Sequence, residues 1–171
     1  MTGRGRWCAG LLAALLSAVI MGCGGANAEN GTGAVVAEVG DVEILHPFIP
    51  APANPAVAGL YLTLRDVGST PDALVAVSSD VSASATLHAE TTKGGAEVMV
   101  PLSQVVTPAH GEIALAPGHD HVMLEGLHQA LRVGDSVAVT LHFARAGAVP
   151  ILVPVVSLSS VADGMSGMDG M

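Results

Sequence analysis

Past residue 33 the chain is a succession of short apolar runs broken by turn residues. Val35 to Leu45 alternates in part and stops at Pro47. Residues 46 to 56 hold four prolines, which predicts an irregular surface loop. Gly59 to Asp66 reads as a buried strand, and Val67 to Asp72 as a cluster of turn residues. Leu74 to Ser78, Ala85 to Thr91, Glu97 to Pro101 and Ile113 to Leu115 are further strands, followed by His121 to Leu127, Ser136 to Phe143 and Val149 to Val156. No stretch after residue 23 carries the 3.6-residue period of a helix, and no repeat of fixed length recurs. Short strands at spacings of roughly 8 to 12 residues predict an all-β domain, a sandwich or Greek-key barrel, over residues 34 to 157.

The flanks follow different rules. Arg4 and Arg6 precede an apolar run, Leu11 to Val19, that is too short to span a bilayer as a mature helix. The run ends in Ile20-Met21-Gly22-Cys23, which resembles the bacterial lipoprotein cleavage box, although Met21 is not the usual residue at its place. Residues 1 to 22 therefore read as a lipoprotein signal peptide, with Cys23 as the lipidated first residue of an exported, membrane-anchored protein. Ordinary secretion with cleavage near Ala28 is the plainer alternative. Residues 23 to 33 are small and polar and predict a flexible tether. Residues 158 to 171 predict a disordered, Met-rich tail carrying Met165, Met168 and Met171.

Composition narrows the function. The 171 residues suffice for one domain with tails. Past residue 22 only four basic residues face fifteen acidic ones, a net charge of -11, which excludes a nucleic-acid-binding surface. The only cysteines are Cys8 and Cys23, so the folded domain has no thiol. That removes a disulfide, a Cys-based zinc site and a cysteine nucleophile. It also removes the blue-copper electron-transfer centre, which needs a Cys ligand. No nucleophile elbow, phosphate loop or HExxH motif is present, and an enzyme is not expected.

Seven His and seven Met remain as ligands. Ala85 to Met99 reads as a hairpin; with Lys93-Gly94 as its turn, Glu90 faces Glu97 and His88 faces Met99. His121 and Met123 stand at i and i+2, on one face of their strand. If the two strands meet, two imidazoles and two thioethers converge. Neutral thioether sulfur suits Cu(I), whereas zinc and calcium sites favour other donors. Taken singly, each of these residues reads more readily as an ordinary core Met or surface His than as a ligand.

The spacing His88, ten residues, Met99, twenty-one residues, His121, one residue, Met123 resembles the ligand signature of the PCuAC copper chaperones. Ala58 to Arg65, Leu74 to Ser79, Ala83 to Glu90, Leu115 to Gly118, Leu131 to Asp135 and Thr140 to Phe143 are similar to that family as well, so the likeness spans about residues 35 to 156. The resemblance implies a cupredoxin-like barrel with an exposed Cu(I) site at His88, Met99, His121 and Met123. It implies an extracytoplasmic location, in the periplasm or at the outer face of the cytoplasmic membrane. Its client would be the CuA-bearing subunit of cytochrome c oxidase or another copper chaperone. A lipoprotein that buffers copper without a client would use the same ligands. One departure stands out. Where the family carries Gly-Gly and an aromatic residue, this chain has Pro117-Gly118-His119-Asp120, which makes His119 a secondary ligand candidate, for Cu(II). Met165, Met168 and Met171 offer a second thioether array for weak Cu(I) capture, with a low-complexity tail as the plainer alternative. His142, alternating within an apolar strand, reads as structural.

Overall fold

A computed structural model describes residues 34–160. The chain divides into two units, Met1–Asn30 and Gly31–Met171, and all described residues belong to the second. The signal peptide, Cys23, the tether and the three tail methionines lie outside the described residues.

The described part is all-β, as the alternation predicts. Eleven strands run β1 Val35–Val39, β2 Val42–Pro50, β3 Val57–Asp66, β4 Asp72–Ser79, β5 Ser82–Lys93 and β6 Ala96–Leu102, then β7 Val105–Thr107, β8 Gly111–Leu115, β9 His121–Leu127, β10 Ser136–Phe143 and β11 Gly147–Val156. They form one sheet in the order β6-β5-β9-β3-β2-β11-β10-β4-β7, with β1 on β2 and β8 on β3. All pairings are antiparallel except β11 with β2. The neighbours β9–β3, β2–β11 and β10–β4 are distant in sequence, which is the Greek-key pattern.

One face of the sheet encloses a single core. Leu60, Leu62 and Leu64 from β3, Val122 and Leu124 from β9, and Leu87 from β5 pack there with Val139, Leu141, Ile151 and Val153 from β10 and β11. Because side chains alternate along a strand, the intervening residues turn to the other face: Gly59, Tyr61 and Thr63 on β3, His121, Met123 and Glu125 on β9, and Thr86, His88 and Glu90 on β5. A slip of one residue would drive these polar groups into the core, so burial of the leucines and valines holds the register.

Besides the division of Val35 to Leu45 into β1 and β2 at the Gly40-Asp41 turn, and a short helical turn at residues 158–160 where disorder is expected, three features depart from the sequence reading. Residues 46 to 50 are part of β2, and the irregular segment begins only at Ala51. The strand survives its prolines through a register shift between Leu45 and Phe48, where His46 takes a positive φ of 47°, before Ile49 and Pro50 join β11. Val105–Thr107 is a short strand on β4 that three residues were too few to announce. The third concerns the hairpin. Its turn is Gly94-Gly95, with φ of 63° and 84°, and Lys93 pairs with Ala96. Two positive φ values in succession fit glycine, whereas Lys93 in the turn would carry a Cβ penalty. The register therefore shifts by two: His88 faces Pro101 and Glu90 faces Met99. A shift of two preserves side-chain parity, so Met99 stays on the face of His88, one diagonal step away.

Replacing both turn glycines with valine tests this account. Each left-handed valine costs roughly 1–2 kcal/mol. Amide exchange in β6 should accelerate in Gly94→Val/Gly95→Val while the core amides of β3 and β10 exchange as before.

Candidate metal centre

The outer face of β3, β9, β5 and β6 gathers the chain's chemistry. His88 on β5 stands directly opposite His121 on β9, and their rings meet edge-on with centroids 6.0 Å apart. Tyr61 flanks His121 on the other side at 6.1 Å, and Phe48 on β2 lies 5.2 Å beyond Tyr61. An aromatic row thus runs across four strands and ends at the paired imidazoles. It covers His121 so well that only 3% of this residue is exposed, although it points away from the core.

His121 is held by its own chain. Its Nδ1 lies 3.0 Å from the carbonyl oxygen of His119. A carbonyl only accepts, so Nδ1 carries the proton and Nε2 keeps its lone pair for a metal. The turn that delivers this carbonyl is closed by bonds from the Ala116 amide to Asp120 O and from the His119 amide to Ala116 O, both 3.0 Å. His88 is different. Its Nδ1 is buried and has no hydrogen-bond partner among the described residues. Buried polar atoms are rarely left so, because the lost bond costs about 1–3 kcal/mol. A ring left in that condition fits a side chain whose remaining partner is a metal ion.

The thioethers flank the imidazole pair. Met123 is half-buried, two residues along β9 from His121, and stands opposite Thr86 on β5 and Gly59 on β3. Gly59 leaves room for its neighbour: a Cβ there would come 2.7 Å from the Tyr61 hydroxyl oxygen. The phenol therefore lies along β3 toward the row of Met123. Met99 is the outlying member, on edge strand β6, 52% exposed, diagonal to His88 in the direction opposite to Met123. Diagonal neighbours have Cα atoms about 7–8 Å apart, within the reach of long side chains. Burial, and then the carboxylate of Glu90, push the Tyr61 phenol above its ordinary pKa, so the face carries a neutral hydroxyl there.

The structure thus places His88, His121, Met99 and Met123 on one face and brings the two imidazoles into direct contact. The His119 side chain is exposed in the turn before β9, and it is the backbone of this residue that serves His121. Among the described residues no group of three or more His, Cys, Asp or Glu is arranged to hold a metal. His142 bonds Ser78 Oγ at 3.2 Å, which agrees with its structural reading. Sequence reasoning passed over Phe48, Gly59 and Tyr61. The parity of Gly-Leu-Tyr-Leu-Thr-Leu already put Gly59 and Tyr61 on the side away from the leucines.

Comparison with known proteins agrees with this architecture. Residues 42–155 match the family model described as "LpqE-like: Putative lipoprotein LpqE-like". The chain is 32% identical over 127 residues to "Putative lipoprotein Lxx21020" of Leifsonia xyli subsp. xyli, covering 74% of this chain and 76% of that protein. Among solved structures, the apo PCuAC domain from PmoF1 is similar at 33% identity with a TM-score of 0.62, covering 71% of this chain and 98% of that one. The copper-bound PCuAC domain from PmoF2 is similar at 28% identity and a TM-score of 0.61, with 71% and 97% covered. The Cu(I) form of DR1885 from Deinococcus radiodurans follows at 27% identity and a TM-score of 0.53, with 74% and 83% covered. These likenesses make the expected cupredoxin-like β-fold a finding, and the chain belongs to the LpqE-like family, with a folded domain of the PCuAC type.

Proposed function

We propose that this protein is an extracytoplasmic Cu(I) carrier that binds the ion through His88, His121, Met123 and Met99 and delivers it for assembly of the CuA centre of cytochrome c oxidase. The observation that carries the reading is the His88–His121 pair, two imidazoles set edge-on across neighbouring strands, one fixed in tautomer and one with a buried nitrogen that has no partner among the described residues. Copper-bound relatives of the same fold support it. Two neutral imidazoles and two neutral thioethers suit a soft monovalent ion. They leave its positive charge uncancelled, which keeps exchange with a thiolate favourable. In this reading His88 and His121 are the fixed half of the site. Met123 closes one side, and Met99 comes in from the edge strand.

The lipoprotein relative and family support export with Cys23 as the lipidated anchor, on the outer side of the cytoplasmic membrane. Metallochaperone activity requires no catalytic group of its own. Met165, Met168 and Met171 would act as a tethered secondary array for Cu(I), and His119 as a ligand for Cu(II) beside the main site.

Three outcomes are expected. Met99→Leu with Met123→Leu should lower Cu(I) affinity on the order of 100-fold, about 2.8 kcal/mol, with unchanged far-ultraviolet circular dichroism; competition against a chromogenic Cu(I) chelator reads it, and wild-type affinity in the double variant would refute the ligand set. Copper-loaded protein mixed with an apo CuA domain should pass two Cu(I) ions to each binuclear site, and one-electron oxidation with added ferricyanide should then develop the colour of the mixed-valence centre, whereas retention of the ion would mark a copper buffer. Truncation after Asp163 should reduce copper stoichiometry under excess Cu(I), and an unchanged stoichiometry would remove the tail from the mechanism.

A further inference from the structure

Among the described residues, strand β6 is one end of the sheet and pairs only with β5. It is the longest of the strands that have a single partner: seven residues, against five in β1 and β8 and three in β7. Folded proteins protect such edges with short strands, charges or proline. Here the middle of the edge is apolar and open, with Val98 39%, Met99 52% and Val100 43% exposed. The hairpin overhangs the core, so both its faces meet solvent.

The backbone of this edge can be assigned an orientation. In an antiparallel pair, residues alternate between those that bond the partner strand and those whose amide and carbonyl point away. Pro101 has no N–H and stands opposite His88, which suits the outward set. Alternation then places Met99 and Glu97 in the same set. The outward N–H and C=O of the edge therefore bracket a proposed copper ligand.

We propose that the free edge of β6, centred on Met99, is a docking site for an extended, positively charged segment of a partner protein that carries a thiol. The segment adds antiparallel or parallel to β6 through the main chain of Glu97 and Met99, and its sulfur arrives beside the thioether it replaces. In the exchange the Cu–S bond to Met99 breaks and a Cu–S bond to the incoming thiolate forms. The thiol proton passes to solvent, and copper stays Cu(I) throughout. Charge selects this occupant. Glu90 faces Met99 across the hairpin, Glu97 lies two residues away on the edge, and Lys93 is the hairpin's only cation. A second copy of this acidic chain would meet its own charge. Self-pairing about Met99 would also set Pro101 against Glu97 of the other copy and forfeit a bond on each side. The copper step rests on the function proposed above; the docking surface does not.

The test uses the full chain and a Lys-flanked peptide of alternating Val and Thr with one central Cys, together with the same peptide N-methylated on one bonding edge. Amide shifts of the apo protein read docking, and loss of Cu(I) from the loaded protein reads transfer. The expected result is peptide-induced shifts at Glu97 and Met99, with binding lost on N-methylation. Glu97→Pro, which removes an outward N–H and no bond to β5, should weaken peptide binding roughly five- to tenfold. Its Cu(I) affinity should stay that of the wild type. Equal binding of the N-methylated peptide, or shifts confined to other strands, would overturn the proposal. So would a concentration-dependent dimer through β6, which makes a second copy the occupant. Protection of β6 that vanishes on deleting residues 161–171 would identify the chain's own tail instead and equally overturn it. A chain that docks the peptide and takes no Cu(I) defeats the copper reading alone; one that takes Cu(I) and ignores the peptide defeats the docking reading alone.

Discussion

The register between β5 and β9 is the constraint on which the outer face depends. Burial of Leu87 opposite Val122, with Leu124 two residues further along β9, fixes the face that His88 and His121 take, and the register of the pair sets them opposite each other. Each fully buried aliphatic side chain contributes roughly 1.5–3 kcal/mol, and several act on this one pairing. The imidazoles themselves stabilise the pairing little. They are positioned by residues that point the other way, so the arrangement of the outer face is set by the packing of the core.

From that pair the face grades from rigid to loose. Toward β3 and β2, Tyr61 and Phe48 build an aromatic wall, and the Gly59 position lets the phenol lie flat along its strand. Toward β6 the cover ends, and Met99 stands on an open edge. The proposed carrier role calls for both properties: ligands held well enough to select the ion, and one side open enough to release it. The gradient of burial across four strands supplies that asymmetry without any moving domain.

Much of this was legible beforehand, for identifiable reasons. The strands β9 and β10 have the limits the alternation predicts, because both alternate cleanly between turn residues. The hairpin was recognisable but its turn was misplaced by one residue. Lys93-Gly94 and Gly94-Gly95 both contain the required glycine, and only the second satisfies two positive φ values. Met99 lies on the face of His88 with either turn because parity is unchanged by a step of two. The proline-rich stretch misled in the other direction. A bulge at His46 and Pro47 absorbs the misfit, and β2 continues to Pro50 on a new partner.

Sequence by itself determined the donor types, the absence of any thiol in the domain and the side of its strand on which each residue lies. These are local properties, governed by side-chain chemistry and a two-residue period. Tertiary structure alone decided that β9 lies between β3 and β5, that His121 is covered while Met99 is exposed, and that, among the described residues, His88 keeps an unpartnered nitrogen and β6 ends the sheet. Strand neighbours distant in the chain are chosen by packing around one shared core, and that choice is a property of the whole fold rather than of any segment.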